Sequence, residues 1–296
     1  MPFLGELSAL LAASLWAVTS MLIAKLSAKI GSVSTNILRM LVAILFFLVT
    51  IFLFKFPINL SSRQMFNLIM SAIVGLVFGD TFLFKAFQQI GARISMLIMS
   101  LAPAMAAILA YIFLGETLSS WGITGIFLTL GGISFVVFER TAPMPTQHTV
   151  TKFGLLCAFG GALGQGISVL FAKMAFDEGP IHGIVASFIR ISVAVLILLP
   201  IASITGLYRN PIKLLSQNRR MLAYLLIVSF FGTYLGVTLS LVAIAYAKVG
   251  IASTLLAISP VLMLPLLRIV YKEVLSWKAM IGAFVAVGGV AILFLT

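Results

Sequence analysis

Asp80, between Gly79 and Thr81, is the acidic residue placed near the middle of a long apolar stretch. A carboxylate at such depth in a bilayer costs about 2.5–3.5 kcal/mol on insertion scales, so it must face a cavity or a partner. There it could bind a proton or an ammonium group and couple protonation to a change of access. Its alternative role is a structural contact with Lys85 or with a serine on another helix. Pro103 and Pro260 lack an amide hydrogen and crowd the preceding turn, which frees the carbonyls of Met99 and Leu256. In lipid, freed carbonyls need a partner or a wet cavity. Ser100 and Ser259 lie on or near these turns, and Ser253 and Thr254 come earlier in the same stretch as Pro260. Trp16, Thr19 and Ser20, then Gln165 and Ser168, then Tyr234 and Thr238 supply further candidate walls. Aromatic surface with a few polar groups suits a small amphiphilic molecule, and ordinary helix packing is the competing role of each.

The remaining charged residues read as structural. Arg39 and Arg190 sit about two turns inside apolar stretches, from where their stems could snorkel to an interface. Their symmetric placement suggests anchors, the alternative being an anion contact at a cavity mouth. Glu116 and Glu273 each precede Leu-Ser, with Ser119 and Ser276 placed to cap the next helix and the carboxylate near its positive end. The chain has no Gly-x-x-x-x-Gly-Lys-Ser/Thr loop, and His148 and His182 have no neighbouring ligand cluster. No cofactor, nucleotide or metal is therefore expected. The single cysteine, Cys157, reads as a small packing residue.

These residues are carried by a chain that is 62% hydrophobic and 9% charged, with a mean hydropathy of +1.22 over 296 residues. Soluble domains are roughly 25% charged. Such a composition describes an all-helical membrane protein. Apolar runs fall at roughly 5–24, 33–54, 66–88, 93–114 and 121–138, then 153–173, 182–205, 221–244, 249–271 and 277–295. Each spans about 30 Å of hydrocarbon at 1.5 Å per residue. The least apolar segment, with Pro143, Pro145, Gln147 and His148, divides the chain into residues 1–140 and 152–296, joined by a linker at 141–151. No removable signal peptide is expected at Met1-Pro2-Phe3-Leu4. The formal charge of +12 is scattered through short connections, which suits anionic lipid headgroups and disfavours nucleic acid.

The halves repeat. A shift of 157 positions places Gly75 on Gly232, Gly79 on Gly236, Thr81 on Thr238, Pro103 on Pro260, Glu116 on Glu273 and Gly131-Gly132 on Gly288-Gly289. Earlier in each half, with small indels, Ala24-Lys25 answers Ala172-Lys173, and Arg39 answers Arg190. Five spans per half is an odd number, so the second half enters the membrane from the opposite side and the repeats are inverted. Inverted repeats around a midplane site are the architecture of secondary transporters. The glycines of the fifth and tenth spans, among them Gly122, Gly125 and Gly282, allow close packing within a monomer or, alternatively, a homodimer.

Trp16, the paired arginines, the paired prolines, the Leu114-Gly115-Glu116 and Tyr271-Lys272-Glu273 motifs thirteen positions on and the Gly-rich last spans together resemble the EamA family of the drug/metabolite transporter superfamily. Lys272 stands where the family's pattern has glycine, and the second half has no counterpart of Trp16. The resemblance implies ten helices, a cavity lined by the first, third and fourth helices of each half, and movement of amino acids or related metabolites across a plasma membrane, the inner membrane in a Gram-negative cell. Export is the implied direction. An anionic phosphorylated or nucleotide-conjugated cargo is the alternative, and it would need Lys or Arg inside the cavity. Arg39, Arg190, Lys85 and Arg268 are the candidates, all nearer the span ends than the centre. Rivals of another class are an intramembrane enzyme, a lipid scramblase and a non-transporting scaffold. The basic residues crowd onto the side opposite the termini, which would place the termini outside, whereas the resemblance places them in the cytoplasm.

Overall fold

With no water in the hydrocarbon to take up backbone N–H and C=O groups, a chain this apolar satisfies them within each segment, as helix. The computed structural model describes residues 3–114, 119–138, 150–208, 218–247, 252, 255–271 and 276–295, and among these every regular element is helical. The first half comprises α1 (Leu4–Ile30), α2 (Ser32–Phe54), α3 (Ser62–Ser71), a π-helical segment π1 (Ala72–Gly79), α4 (Asp80–Met99), α5 (Ala102–Leu114) and α6 (Ser120–Phe138). The second comprises α7 (Lys152–Asp177), α8 (Gly183–Ile204), α9 (Arg219–Ile227), π2 (Val228–Leu235), α10 (Gly236–Tyr246), α11 (Ser259–Tyr271) and α12 (Trp277–Leu295).

Among the described residues, six stretches are long and apolar enough to cross a membrane: Leu4–Ile30, Ser32–Phe54, Ser62–Met99, Lys152–Asp177, Gly183–Ile204 and Arg219–Tyr246. They are the first three of each half. Ser120–Ile133 and Met280–Ile292 form a matching pair of shorter apolar helices. Large apolar side chains such as Phe52, Phe127, Leu196, Ile204 and Phe284 are exposed. A soluble monomer rarely tolerates such an exterior, but lipid does.

Local chemistry sets the helix ends. Gly31, at φ 89°, makes the tight turn between α1 and α2. Ser61 and Gln64 form a capping box on α3. Thr151, His182 and Asn218 cap α7, α8 and α9 with side-chain acceptors. His182 also stacks on Phe56, ring centroids 3.9 Å apart.

The third and fourth expected spans are not two simple rods. Residues 62–99 form two helical pieces that meet at Gly91 (φ 77°, ψ 165°), between the expected third and fourth spans, in a conformation glycine adopts without a steric penalty. Helix then stops again at Ser100 and Leu101 before α5, one turn ahead of Pro103. Tight bonds close this turn, Ser100 N to Leu97 O at 3.1 Å and Leu101 N to Ile98 O at 3.0 Å. The Ser100 hydroxyl adds a bond to Leu97 O at 2.6 Å. In the second half the same break falls at Ala257 and Ile258, before Pro260. There Ser259 Oγ donates to Leu256 O at 2.9 Å, covering the carbonyl the proline leaves free. The break before each proline thus repeats, while the serine contact does not, because Ser100 bonds Leu97 O and not the Met99 carbonyl that Pro103 frees.

Each half's first helix packs against the other half's third stretch: α1 against π2 and α10, α7 against π1 and α4. The last helices, α6 and α12, pack on each other within the monomer. A Cβ on Gly132 would lie 2.5 Å from Ala286 N, and one on Gly289 would lie 2.5 Å from Thr129 N, so only glycine permits this approach. Gly131 and Gly288 have nothing within 4 Å of a built Cβ. Glu116, Glu273, Ser253 and Thr254 fall outside the described residues.

Candidate functional site

Two helical segments of the wider type occur at repeat-related places. π1 and π2 contain Gly75 and Gly232, which the 157-residue shift superposes. Widening a helix by one residue per turn turns carbonyls away from the regular ladder, and such segments concentrate at functional sites. Here the exposed carbonyls are met from across the repeat. Gln165 Nε2 of α7 donates to Gly75 O at 3.2 Å, and Trp16 Nε1 of α1 donates to Gly232 O at 3.1 Å. Each half's first helix therefore closes the other half's π segment.

Between these contacts lies a cavity of about 190 Å³. Its walls come from the first, third and fourth stretches of both halves, together with one residue from each second helix, Arg39 from α2 and Arg190 from α8. Both arginines are buried, 4% and 6% exposed, as is Asp80 at 8%. They do not snorkel to an interface, which corrects that part of the expectation drawn from their sequence position. Residues 7 or 8 of a helix are deep enough to be turned inward, and the partners that reward burial all lie inward.

Both terminal nitrogens of Arg39 are engaged, while its buried Nε, like that of Arg190, has no partner among the described residues. Arg39 Nη2 pairs with Asp80 Oδ2 and donates to Asn36 Oδ1 at 2.8 Å, while Nη1 donates to Thr233 Oγ1 at 3.0 Å. The guanidinium lies 4.9 Å from the Phe84 ring centroid, a cation–π contact. Asp80 Oδ1 accepts from Gln165 Nε2 at 2.8 Å, so both of its oxygens are used. Asn36 in turn donates to Leu76 O and Thr81 Oγ1, each at 3.0 Å. The partner of Asp80 is thus Arg39 of the same half, in place of the Lys85 or serine expected. Arg190 differs. Among the described residues it makes one hydrogen bond, Nη2 to Ser168 Oγ at 2.9 Å, and forms no ion pair. Ser168 is itself held by Ser71, through Oγ to Ser71 O at 2.8 Å and back from Ser71 Oγ to Ser168 O at 2.7 Å.

Of the residues singled out in sequence, Trp16, Thr19, Ser20, Asp80, Ser100, Pro103, Gln165, Ser168, Ser259 and Pro260 all line this one cavity. Thr81, Tyr234 and Thr238 do not. Thr81 supports Asn36 from behind, and Thr238 returns its hydroxyl to Tyr234 O at 2.6 Å. Tyr234 points into an aromatic cluster with Phe46, Phe47 and Phe230 and shares a 2.8 Å hydrogen bond with Thr50. Its position next to Thr233 put it one residue off the inward face. Asn36, Ser71 and Thr233 were passed over in sequence. Asn36 precedes Arg39 by three residues on the same face, a polar pair within an apolar run that the reasoning applied to Asp80 would have caught.

Described residues that are all helical where regular, with repeat-related membrane-crossing stretches around a charged cavity, have the architecture of a multi-span membrane transporter. The EamA-like transporter family model matches residues 3–138 and again 152–295. The chain belongs to that family, within the drug/metabolite transporter superfamily, and so is an integral membrane protein of a class that moves small molecules. No curated protein matches it. Among 29 matching solved chains is the crystal structure of a protein with 15% identity and a TM-score of 0.68, covering 98% of this chain and 96% of that one, which shows a shared fold.

Proposed function

We propose that the protein is a secondary transporter working by alternating access, with ten spans arranged as two inverted five-span repeats, residues 1–140 and 152–296, joined by a linker at 141–151. Its cargo is an amino acid or a related amphiphilic metabolite, and its setting is the plasma membrane. The observation that carries this reading is the cavity where the two halves cross, with Asp80, Gln165 and both arginines among apolar walls. A site shared by both repeats at mid-depth is what alternating access requires. At about 190 Å³ the cavity is smaller than the roughly 300–1,000 Å³ of pockets for drug-sized ligands, which favours a small cargo over a nucleotide conjugate.

Asp80 is the group through which a proton would couple to transport, because losing its charge would release Arg39 from the bond that ties α2 to α4. Pro103 and Pro260, in the cavity wall beside the paired helix breaks, are the hinges. The test is counterflow of labelled amino acids into proteoliposomes under an imposed pH gradient, wild type against Asp80→Asn. Saturable uptake that loses its pH response in the variant is the expected result. Uptake indifferent to the substitution would remove Asp80 from coupling, and absence of uptake for every amino acid would overturn the cargo class.

A second reading has a specific observation behind it. An anionic phosphorylated cargo needs cations in the cavity, and Arg39 and Arg190 line it. Counterflow of phosphorylated metabolites with none of amino acids would select it.

A further inference from the structure

The two arginines occupy equivalent places, and among the described residues the buried Nε of each has no partner, yet only Arg39 is paired with a carboxylate. Arg39 is held by Asp80, Asn36 and Thr233. The repeat shifts place Val237, Ser187 and Leu76 at the equivalents of those three positions. Two of the three have lost their polar groups. The third, Ser187, is fully buried and its hydroxyl has no partner. Arg190 therefore keeps the burial of its counterpart without the cage. A guanidinium carries five N–H donors, and one is accounted for, by the neutral hydroxyl of Ser168. The buried charges among the described residues are Arg39, Arg190 and Asp80, so one positive charge is left over in the cavity. A buried ion without a counter-charge costs several kcal/mol, and something anionic must repay that cost when the site is filled.

We propose that Arg190 is the anion-binding residue of the cavity and that the cargo carries one carboxylate there, completing in the second half the cage that Asp80 completes in the first. One leftover charge matches a single carboxylate group, whereas a phosphate monoester would bring close to two negative charges. A carboxylate also presents the planar pair of oxygens that a guanidinium fork accepts. Ser71 and Ser168 are positioning residues, since their mutual bonds fix the hydroxyl that orients Arg190. The inference rests on the transporter reading only for the word cargo, because the binding site stands without transport.

Two experiments test it on the full-length purified protein. In the first, thermal unfolding is followed without ligand for wild type, Arg190→Gln and Val237→Asp. Relief of an unpaired charge raises the midpoint in Arg190→Gln, and Val237→Asp raises it by installing the missing carboxylate. A structural anchor would instead lose stability in Arg190→Gln, and a fall in both variants would overturn the proposal. In the second, binding of L-leucine, L-leucinamide and 3-methylbutylamine is compared, with leucine phosphonate as the dianionic probe. The acid binds wild type at least about tenfold more tightly than its amide, and this preference disappears in Arg190→Gln and in Val237→Asp while Arg190→Lys keeps part of it. Equal binding of acid and amide, a preference that survives Arg190→Gln, tighter binding of the phosphonate, or no binding by any of the four probes would each overturn the carboxylate site. Acid binding without any counterflow would instead leave the site standing and remove the transporter reading.

Discussion

Asp80→Asn removes a charge and keeps a shape, which makes it the sharpest probe of the polar core. The wild-type interior holds two guanidinium groups against one carboxylate. In the variant both arginines are left without a counter-charge. At an effective dielectric of about 20, unit charges roughly 4 Å apart attract by about 4 kcal/mol. Breaking a buried pair by removing one member costs about 3–5 kcal/mol, so the two routes agree. At about 2–4 °C per kcal/mol for a chain of this order of size, the unfolding midpoint should fall by at least about 6 °C. The asparagine can still offer its amide oxygen to Arg39, but without a charge, so the loss is that of the ion pair. Intrinsic fluorescence of the purified protein on a temperature ramp reads the effect. The control is Arg39→Gln with Asp80→Asn, which removes the pair together and should recover most of the loss. A single variant melting within about 1 °C of wild type, or a double variant as unstable as the two single losses added, would refute the view that this ion pair holds the halves of the first repeat together.

Further outcomes follow from individual contacts. Gly132→Val should cost about 1–3 kcal/mol by overpacking against the Ala286 backbone, while Gly131→Ala should stay within about 0.5 kcal/mol, both read by thermal unfolding. Trp16→Phe loses the 3.1 Å bond to Gly232 O, which should cost about 1 kcal/mol and lower counterflow, because the same ring lines the cavity. Tyr234→Phe loses its bond to Thr50 at a similar cost but lies outside the cavity wall, so counterflow per folded molecule should be unchanged.

Hydropathy, the repeat and the prolines are properties of the chain in one dimension, and all three were legible there. A lipid environment allows an apolar segment little choice but helix, and a proline cannot donate to the helical ladder wherever it sits. Asp80 could be singled out for the same reason, since a carboxylate far from any span end has no cheap explanation. The inward direction of Arg39 and Arg190 was not legible. Burial depth follows from position in a span, but facing follows from the helix's rotation, and a long arginine near an end can turn either way. The widened segments π1 and π2 were equally hidden, because one extra residue per turn leaves no mark in an apolar sequence. They matter because they present Gly75 and Gly232 carbonyls to the opposite half. Composition, pattern and repeat established a helical membrane protein of two related halves and most of the polar residues in one cavity's wall. Only the tertiary structure decided that one arginine is caged and its counterpart is not, because that depends on which residues three separate helices bring to the same point.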